Sequence, residues 1–204
     1  HKDAARAVPD ITLGDLQVFE NGTEQRIDFI ERDTRPLSLT IVLDVSSSMV
    51  GLSREWAVLA MDAVFKRLLP TDEVSLVVFG GWAITPIPWS PVATLPGLGW
   101  AQWVMSPETA LLDAVHTSLE LMDGASHGRG VVLILSDGLE IASTTSLSTV
   151  VRSRRQSETA VSAFEFDPPW DAEGHRQQPR WVQRLEGRTF GFRYMEQLVG
   201  DSGG

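Results

Sequence analysis

The sequence predicts an α/β fold: a doubly wound, mostly parallel sheet flanked by helices on both faces and preceded by a small β-hairpin. Two apolar, β-rich runs, 39–44 and 131–135, lack polar alternation and are therefore typical of strands buried on both sides. A third run, 73–79, has the length and composition of another strand. Segments with helical periodicity separate these runs. Strands that alternate with helices favour parallel pairing through right-handed crossovers.

The composition excludes several classes of protein. The 204 residues suffice for one domain with a small appendage, and 43% hydrophobic residues can form a sizeable core. A net charge of −10 argues against a nucleic-acid partner, because phosphates would be repelled. The absence of cysteine excludes disulfides and thiolate chemistry. No apolar run reaches 18 residues, so no membrane span is predicted.

The first 36 residues are predicted to form a frayed leader and a β-hairpin ahead of the main domain, which we place at 37–204. Segments 15–20 and 25–30 alternate in polarity, as paired strands do. Between them, Asn21-Gly22 is a strong signal for a type I′ turn.

The first helix is predicted over 51–69, ended by Pro70. Its expected sheet-facing stripe contains Leu52, Trp56, Leu59, Val64, Phe65 and Leu68. An apolar, proline-broken run over 82–89 fits an edge strand, where missing amide donors are tolerated.

The second half of the sequence continues the alternation. Ser106-Pro107 is predicted to give the N-cap and first turn of a helix that ends at Gly124. Further elements are predicted as a helix over 146–156, a strand over 159–166, and helical segments near 176–185 and 194–199.

Asp44, Ser46 and Ser48 follow the first strand in the segment LTIVLDVSSSM. They are expected on a turn at the carboxyl end of that strand, where open α/β sheets form their ligand crevice. One carboxylate and two hydroxyls are suitable ligands for a hard cation. A simpler alternative is that Ser48 N-caps the following helix and that Asp137-Gly138 is an ordinary turn.

This motif resembles the opening of the metal-ion-dependent adhesion site (MIDAS) of von Willebrand factor A (VWA) domains. That family also supplies a threonine and a second aspartate from later loops. Thr109 in PETALLDAV and Asp137 in VVLILSDGLE match those positions in order and in context. The resemblance therefore implies five metal-site residues, listed as Asp44, Ser46, Ser48, Thr109 and Asp137.

The segment 14–49 also resembles the lead-in of bacterial VWFA-related proteins of acidobacterial type, in which a short acidic hairpin precedes the first core strand. This resemblance implies an extracellular or periplasmic protein. In the VWA family a last strand and helix follow a segment like EQLVGDSGG, so closing elements are expected beyond Gly204.

The resemblance implies a domain that uses Mg²⁺, or alternatively Mn²⁺ or Ca²⁺, to hold an Asp or Glu carboxylate of a protein partner. Ser46, Ser48 and Thr109 would bind the ion directly, and both aspartates mainly through water. Trp100 and Trp103, next to the threonine loop, are candidates for an apolar partner-binding rim. Two further tryptophans, Trp82 and Trp89, are expected to cover the sheet edge and fill core.

Two alternative functions remain at this stage. The ion could serve phosphoryl or ester hydrolysis, although no general base is evident beside the site. The domain could instead be an assembly scaffold with an idle metal site. Nucleotide binding and serine hydrolysis are disfavoured, because the sequence contains neither a GxxxxGK[ST] loop nor a G-x-S-x-G elbow.

Overall fold

The computed structural model describes residues 12–31, 34–95, 106–166, 195 and 197–199. The chain divides into two compact units, His1–Arg35 and Pro36–Gly204, which we describe separately. No helix within the described ranges is long and apolar enough to cross a lipid bilayer.

The first unit contains the predicted hairpin. Strand β1 (Val18–Glu20) pairs antiparallel with β2 (Thr23–Gln25). Asn21 and Gly22 both have positive φ, 51° and 81°, which confirms the type I′ turn. The second strand was expected at 25–30 and lies earlier, because a two-residue turn forces pairing to resume at Thr23.

The second unit is an α/β fold, as predicted. The described part of its sheet has five strands in the order β5-β4-β3-β6-β7, all parallel except β5, which runs antiparallel to β4. The strands are β3 (Ser38–Asp44), β4 (Glu73–Phe79), β5 (Ala83–Pro91), β6 (Gly130–Ser136) and β7 (Ala160–Glu165). The prolines of β5 are tolerated because this strand pairs with β4 alone within the described sheet.

Helices cover both faces of the sheet. The helices are α1 (Leu52–Phe65), α2 (Leu111–Leu121) and α3 (Leu147–Gln156). Ala57 and Met61 of α1 pack in one core with Ile41. Helices α2 and α3 pack in a second core with Val42, and the helical residues Met195 and Leu198 join them. Alternate residues of β3 therefore face opposite helical layers.

Helix α1 buries only part of the predicted stripe: Val64 and Phe65, and Leu68 just beyond the helix, are partly buried against the core. Trp56 and Leu59 are 59% and 58% exposed, whereas Ser53, Ala57 and Met61 are buried. The small side chains of Ser53 and Ala57 allow the helix to lie close to the sheet. The helix also ends at Phe65, before the predicted stop at Pro70.

Helix α2 begins at Leu111 rather than at the predicted Ser106-Pro107. The helix starts later because residues 106–110 form hydrogen bonds with other loops, such as the bond from Ser47 N–H to the Ser106 carbonyl and the bond from Ala110 N–H to the Gly80 carbonyl. Helix α3 does begin as predicted, with the Ser146 hydroxyl accepting from the backbone N–H of Thr149. The predicted helix near 176–185 and the candidate rim residues Trp100 and Trp103 lie outside the described residues.

Candidate metal centre

Asp44 is the last residue of β3 and is only 3% exposed. Its Oδ1 accepts a hydrogen bond from the backbone N–H of Ser46 at 2.8 Å, and its Oδ2 accepts one from the Ser136 hydroxyl at 2.5 Å. Ser136 ends the neighbouring strand β6. Both carboxylate oxygens are thus held at the carboxyl edge of the sheet, by a donor from each side.

The pKa of Asp44 is raised to about 7, first by burial and second by the negative charge of Asp137. The hydrogen bonds from Ser136 and Ser46 oppose the increase. Two aspartates therefore interact electrostatically where β3 and β6 end, at the carboxyl edge of the sheet. A cation placed there would relieve their repulsion.

Ser46 and Ser48 lie on the tight turn that follows Asp44, and their hydroxyl oxygens are 2.9 Å apart. Ser48 does not cap α1, because the N-cap position is Gly51, at φ 76° and ψ −129°. Only glycine adopts this conformation readily. The alternative in which Ser48 N-caps the helix is therefore wrong. The turn that the same alternative placed at Asp137-Gly138 is present, because the Asp137 carboxylate accepts from the backbone N–H of Leu139 at 3.1 Å.

Thr109 is fully buried, and its Oγ1 has no hydrogen-bond partner. The backbone carbonyl of the same residue accepts from the N–H groups of Ile141 and Ala142, both at 3.0 Å. The loop that follows Asp137 therefore lies against the threonine. A buried hydroxyl without a partner is costly, and this one lies beside the loop of Asp137, so its oxygen fits a ligand that is not part of the protein chain.

Ser106 connects the threonine loop to two other loops. Its backbone pairs with the turn after β3: the carbonyl accepts from Ser47 N–H at 2.8 Å, and the amide donates to the Val45 carbonyl at 3.3 Å. Its hydroxyl accepts from the N–H groups of Gly81 at 2.9 Å and Glu108 at 3.3 Å. One residue thus fixes the threonine loop against the serine turn and against the β4–β5 connection.

Gly80 permits this close approach. A Cβ at this position would lie 2.3 Å from the Cβ of Ser106, a distance that requires the loop to move. The Gly80 carbonyl also accepts from the backbone N–H of Ala110 at 2.6 Å. Glycine is therefore required here for packing rather than for an unusual φ.

The loop after Asp137 is tied to the first turn of α2 by two carboxylates. Glu140 accepts from the backbone N–H of Leu112 at 2.8 Å. Asp113 accepts in return from the N–H groups of Thr144 at 3.0 Å and Thr145 at 2.7 Å. Although desolvation by burial opposes the effect, these hydrogen bonds lower the pKa of Asp113. The loops carrying Thr109 and Asp137 are thus joined by several bonds.

The structure therefore brings the three segments carrying the five predicted residues to one edge of the sheet. Sequence reasoning missed Ser136, Ser106 and Gly80. Only Ser136 leaves a signal: its two-residue spacing from Ile134 places it on the same face of β6 as that buried residue. The contacts of Ser106 and Gly80 depend on tertiary structure alone.

The chemistry of the site fits a hard divalent cation. Hydroxyl and carboxylate oxygens are the ligands that Mg²⁺ and Ca²⁺ prefer. Within the described ranges, no three His, Cys, Asp or Glu side chains group together as a metal cluster. A metal here would consequently depend on the serine and threonine hydroxyls in addition to the two aspartates.

A family model described as "VWA domain containing CoxE-like protein" matches residues 19–186. The chain belongs to this VWA family. This match confirms the VWA prediction. Solved structures of VWA type confirm the predicted fold class. No curated protein sequence matches the domain.

Solved structures similar to this VWA domain share its fold at low sequence identity. An aerotolerance-related membrane protein from Bacteroides fragilis is 15% identical, with a TM-score of 0.58 over 82% of this chain and 89% of that chain. BatB from Bacteroides thetaiotaomicron is 17% identical, with a TM-score of 0.56 over 82% and 87%. Proximal thread matrix protein 1 from the mussel byssus, with a zinc-occupied MIDAS motif, is 16% identical, with a TM-score of 0.60 over 82% and 40%.

Proposed function

We propose that this VWA domain binds a divalent cation, Mg²⁺ in the first instance, and through it an Asp or Glu carboxylate of a protein partner. The observation that carries the proposal is the fully buried Thr109 hydroxyl without a partner. Thr109 lies on a loop that is hydrogen-bonded to the serine turn through Ser106. The backbone carbonyl of Thr109 is hydrogen-bonded to the loop that follows Asp137. The mussel protein's zinc-occupied MIDAS supports metal binding by this fold.

The contacts of each residue support distinct roles. Ser46, Ser48 and Thr109 would hold the ion directly through their hydroxyl oxygens. Both oxygens of Asp44 already accept hydrogen bonds from the protein, which supports an indirect role through water for this residue. An ion held by neutral ligands keeps more of its positive charge available to a carboxylate. Mn²⁺ and Ca²⁺ are alternatives, since they share the preference for oxygen.

We further propose that the domain acts by binding without chemical turnover, in an extracellular or periplasmic setting. One structural neighbour is described as an aerotolerance-related membrane protein, which supports a role close to a cell envelope. The formal charge of −10 disfavours nucleic acid as the partner.

Thr109→Val tests the metal site. Valine keeps the shape of threonine and removes only the hydroxyl, so Mg²⁺ binding should weaken by roughly 10-fold or more. Stability in EDTA should be maintained or rise, because an unpaired buried polar group is lost. Mn²⁺ relaxation titration and urea unfolding measure the two effects.

Thr40→Val is the matched control. Thr40 is also fully buried with an unpartnered Oγ1, but it lies in the middle of β3. This variant should keep wild-type Mg²⁺ affinity. Metal binding that survives Thr109→Val would contradict the proposed site. Mg²⁺ binding without any carboxylate binding would favour the scaffold, and turnover of phosphate esters would favour the hydrolase.

A further inference from the structure

The tip of the β4–β5 hairpin lies beside the candidate metal centre. Asp44 pairs directly with Phe79, the last residue of β4, and residues 80–82 then form the tip before β5 begins. Neighbouring strands are about 4.8 Å apart. The tip therefore starts one residue beyond the cross-strand neighbour of Asp44, at the same carboxyl edge of the sheet.

Trp82 occupies this tip and is 70% exposed. The sequence predicted that it would cover the sheet edge and fill core, and the structure contradicts that expectation. Ile84, two residues further on, is exposed as well. Large apolar side chains exposed next to a polar site are typical of interaction surfaces, where tryptophan is enriched.

The backbone around Trp82 is held in place by the metal-site loops. The carbonyl of Trp82 accepts from Gly80 N–H at 3.2 Å, and Gly81 N–H donates to the Ser106 hydroxyl at 2.9 Å. The loop that contains Ser106 also carries Thr109, three residues further along the chain. The backbone of Trp82 is thus fixed relative to the threonine loop, which reduces the entropy lost on binding.

The charge at the tip restricts the partner further. A Cβ built on Gly81 would lie 2.8 Å from Oε2 of Glu108, so an acidic side chain reaches the tip next to Trp82. Glu108 is exposed. A second acidic residue of a partner would be repelled here, whereas an apolar one would meet the indole ring.

We infer that Trp82 selects the partner segment: an Asp or Glu flanked by aliphatic or aromatic residues rather than by further acids. The inference rests on the proposed function, because the metal site would hold the acid while Trp82 contacts its apolar neighbour. The apolar residue of the partner would therefore contact the β4–β5 tip.

Three synthetic peptides test the inference: Gly-Leu-Asp-Leu-Gly, Gly-Gly-Asp-Gly-Gly and Gly-Asp-Asp-Asp-Gly. NMR titrations in Mg²⁺ should show that the wild type prefers the leucine peptide to the glycine peptide by roughly 10-fold, with the triple-acid peptide weakest. Trp82→Ala should bind the leucine and glycine peptides equally. A Mn²⁺ titration of the same variant should show that the metal site is intact.

Leu69→Ala is the control. Leu69 is also exposed, but it precedes the first residue of β4 and thus lies at the opposite end of the sheet. This variant should keep the leucine preference. If Trp82→Ala keeps that preference, or Leu69→Ala loses it, the inference is wrong while the proposed function stands. Peptide binding that is absent, or unaffected by EDTA, would overturn both.

Discussion

Replacing Gly80 with alanine is expected to weaken Mg²⁺ binding by roughly 10- to 100-fold, the usual cost of disturbing residues that support metal ligands. The new Cβ would lie 2.3 Å from the Cβ of Ser106, so the loop that carries Thr109 must shift. Such overpacking also destabilises a protein by about 1 to 3 kcal/mol. Mn²⁺ titration reports the loss of affinity, and urea unfolding in EDTA reports the stability.

Gly128→Ala provides the control for this variant. A Cβ at Gly128 would meet nothing within 4 Å, and the residue precedes β6 at the end of the sheet remote from Asp44. Its metal affinity and its stability should both equal those of the wild type. A folded Gly80→Ala protein with wild-type Mg²⁺ affinity would show that the close approach of these loops is not needed for binding.

The strands of the sheet were the most predictable part of the fold. Strand β4 occupies Glu73–Phe79, the bounds taken from the sequence, and β3 and β6 differ from their predicted bounds by about one residue. These strands are buried among helices and other strands, so apolar residues fill most of their central positions. A mostly apolar, β-branched run therefore locates each strand to within about one residue.

The face of α1 could be predicted only in part from hydrophobicity: Val64 and Phe65 pack against the core as expected. Trp56 and Leu59 define a plausible stripe, yet the helix turns Ala57 and Met61 toward the sheet. Periodicity gives the helical spacing, but the choice between two partly apolar faces depends on which side chains fit against β3 and its neighbours. That choice is made by packing.

The start of α2 was mispredicted for a related reason. Ser106-Pro107 has the composition of a helix N-terminus, but the Ser106 hydroxyl accepts from Gly81 and Glu108 instead. Glu140, from a distant loop, satisfies a backbone donor in the first turn of α2. Local capping signals were overridden by contacts between residues far apart in sequence.

The candidate site was predictable only in part. Asp44, Thr109 and Asp137 lie on segments that the fold does bring to one edge, because parallel strands end at the same edge and their loops meet there. Metal ligation by these residues stays a prediction. The hydrogen bond from Ser136 to Asp44 joins residues 92 positions apart, and no local pattern specifies it.

Asp44→Asn is expected to remove a pH-dependent loss of stability from the metal-free protein. Burial and the negative charge of Asp137 raise the pKa of Asp44 from 3.8 to about 7, so between these pH values the folded state keeps a proton that the unfolded chain has lost. The free energy of unfolding should therefore fall as pH rises from about 4 to about 7 and then level off. At about 1.4 kcal/mol for each pH unit, the loss is roughly 4 kcal/mol at most.

Urea unfolding in EDTA at pH 5 and pH 8 measures this difference. The asparagine variant should be more stable than the wild type at pH 8, because its neutral amide keeps an oxygen for the N–H of Ser46 and carries no charge to repel Asp137.

Asp62→Asn, which changes an exposed carboxylate on α1, should leave the wild-type profile unaltered. Added Mg²⁺ should stabilise the wild type at pH 8 and have little effect on Asp44→Asn. Equal pH profiles for the wild type and Asp44→Asn would mean that the buried carboxylate is already compensated within the protein, leaving the cation less to neutralise.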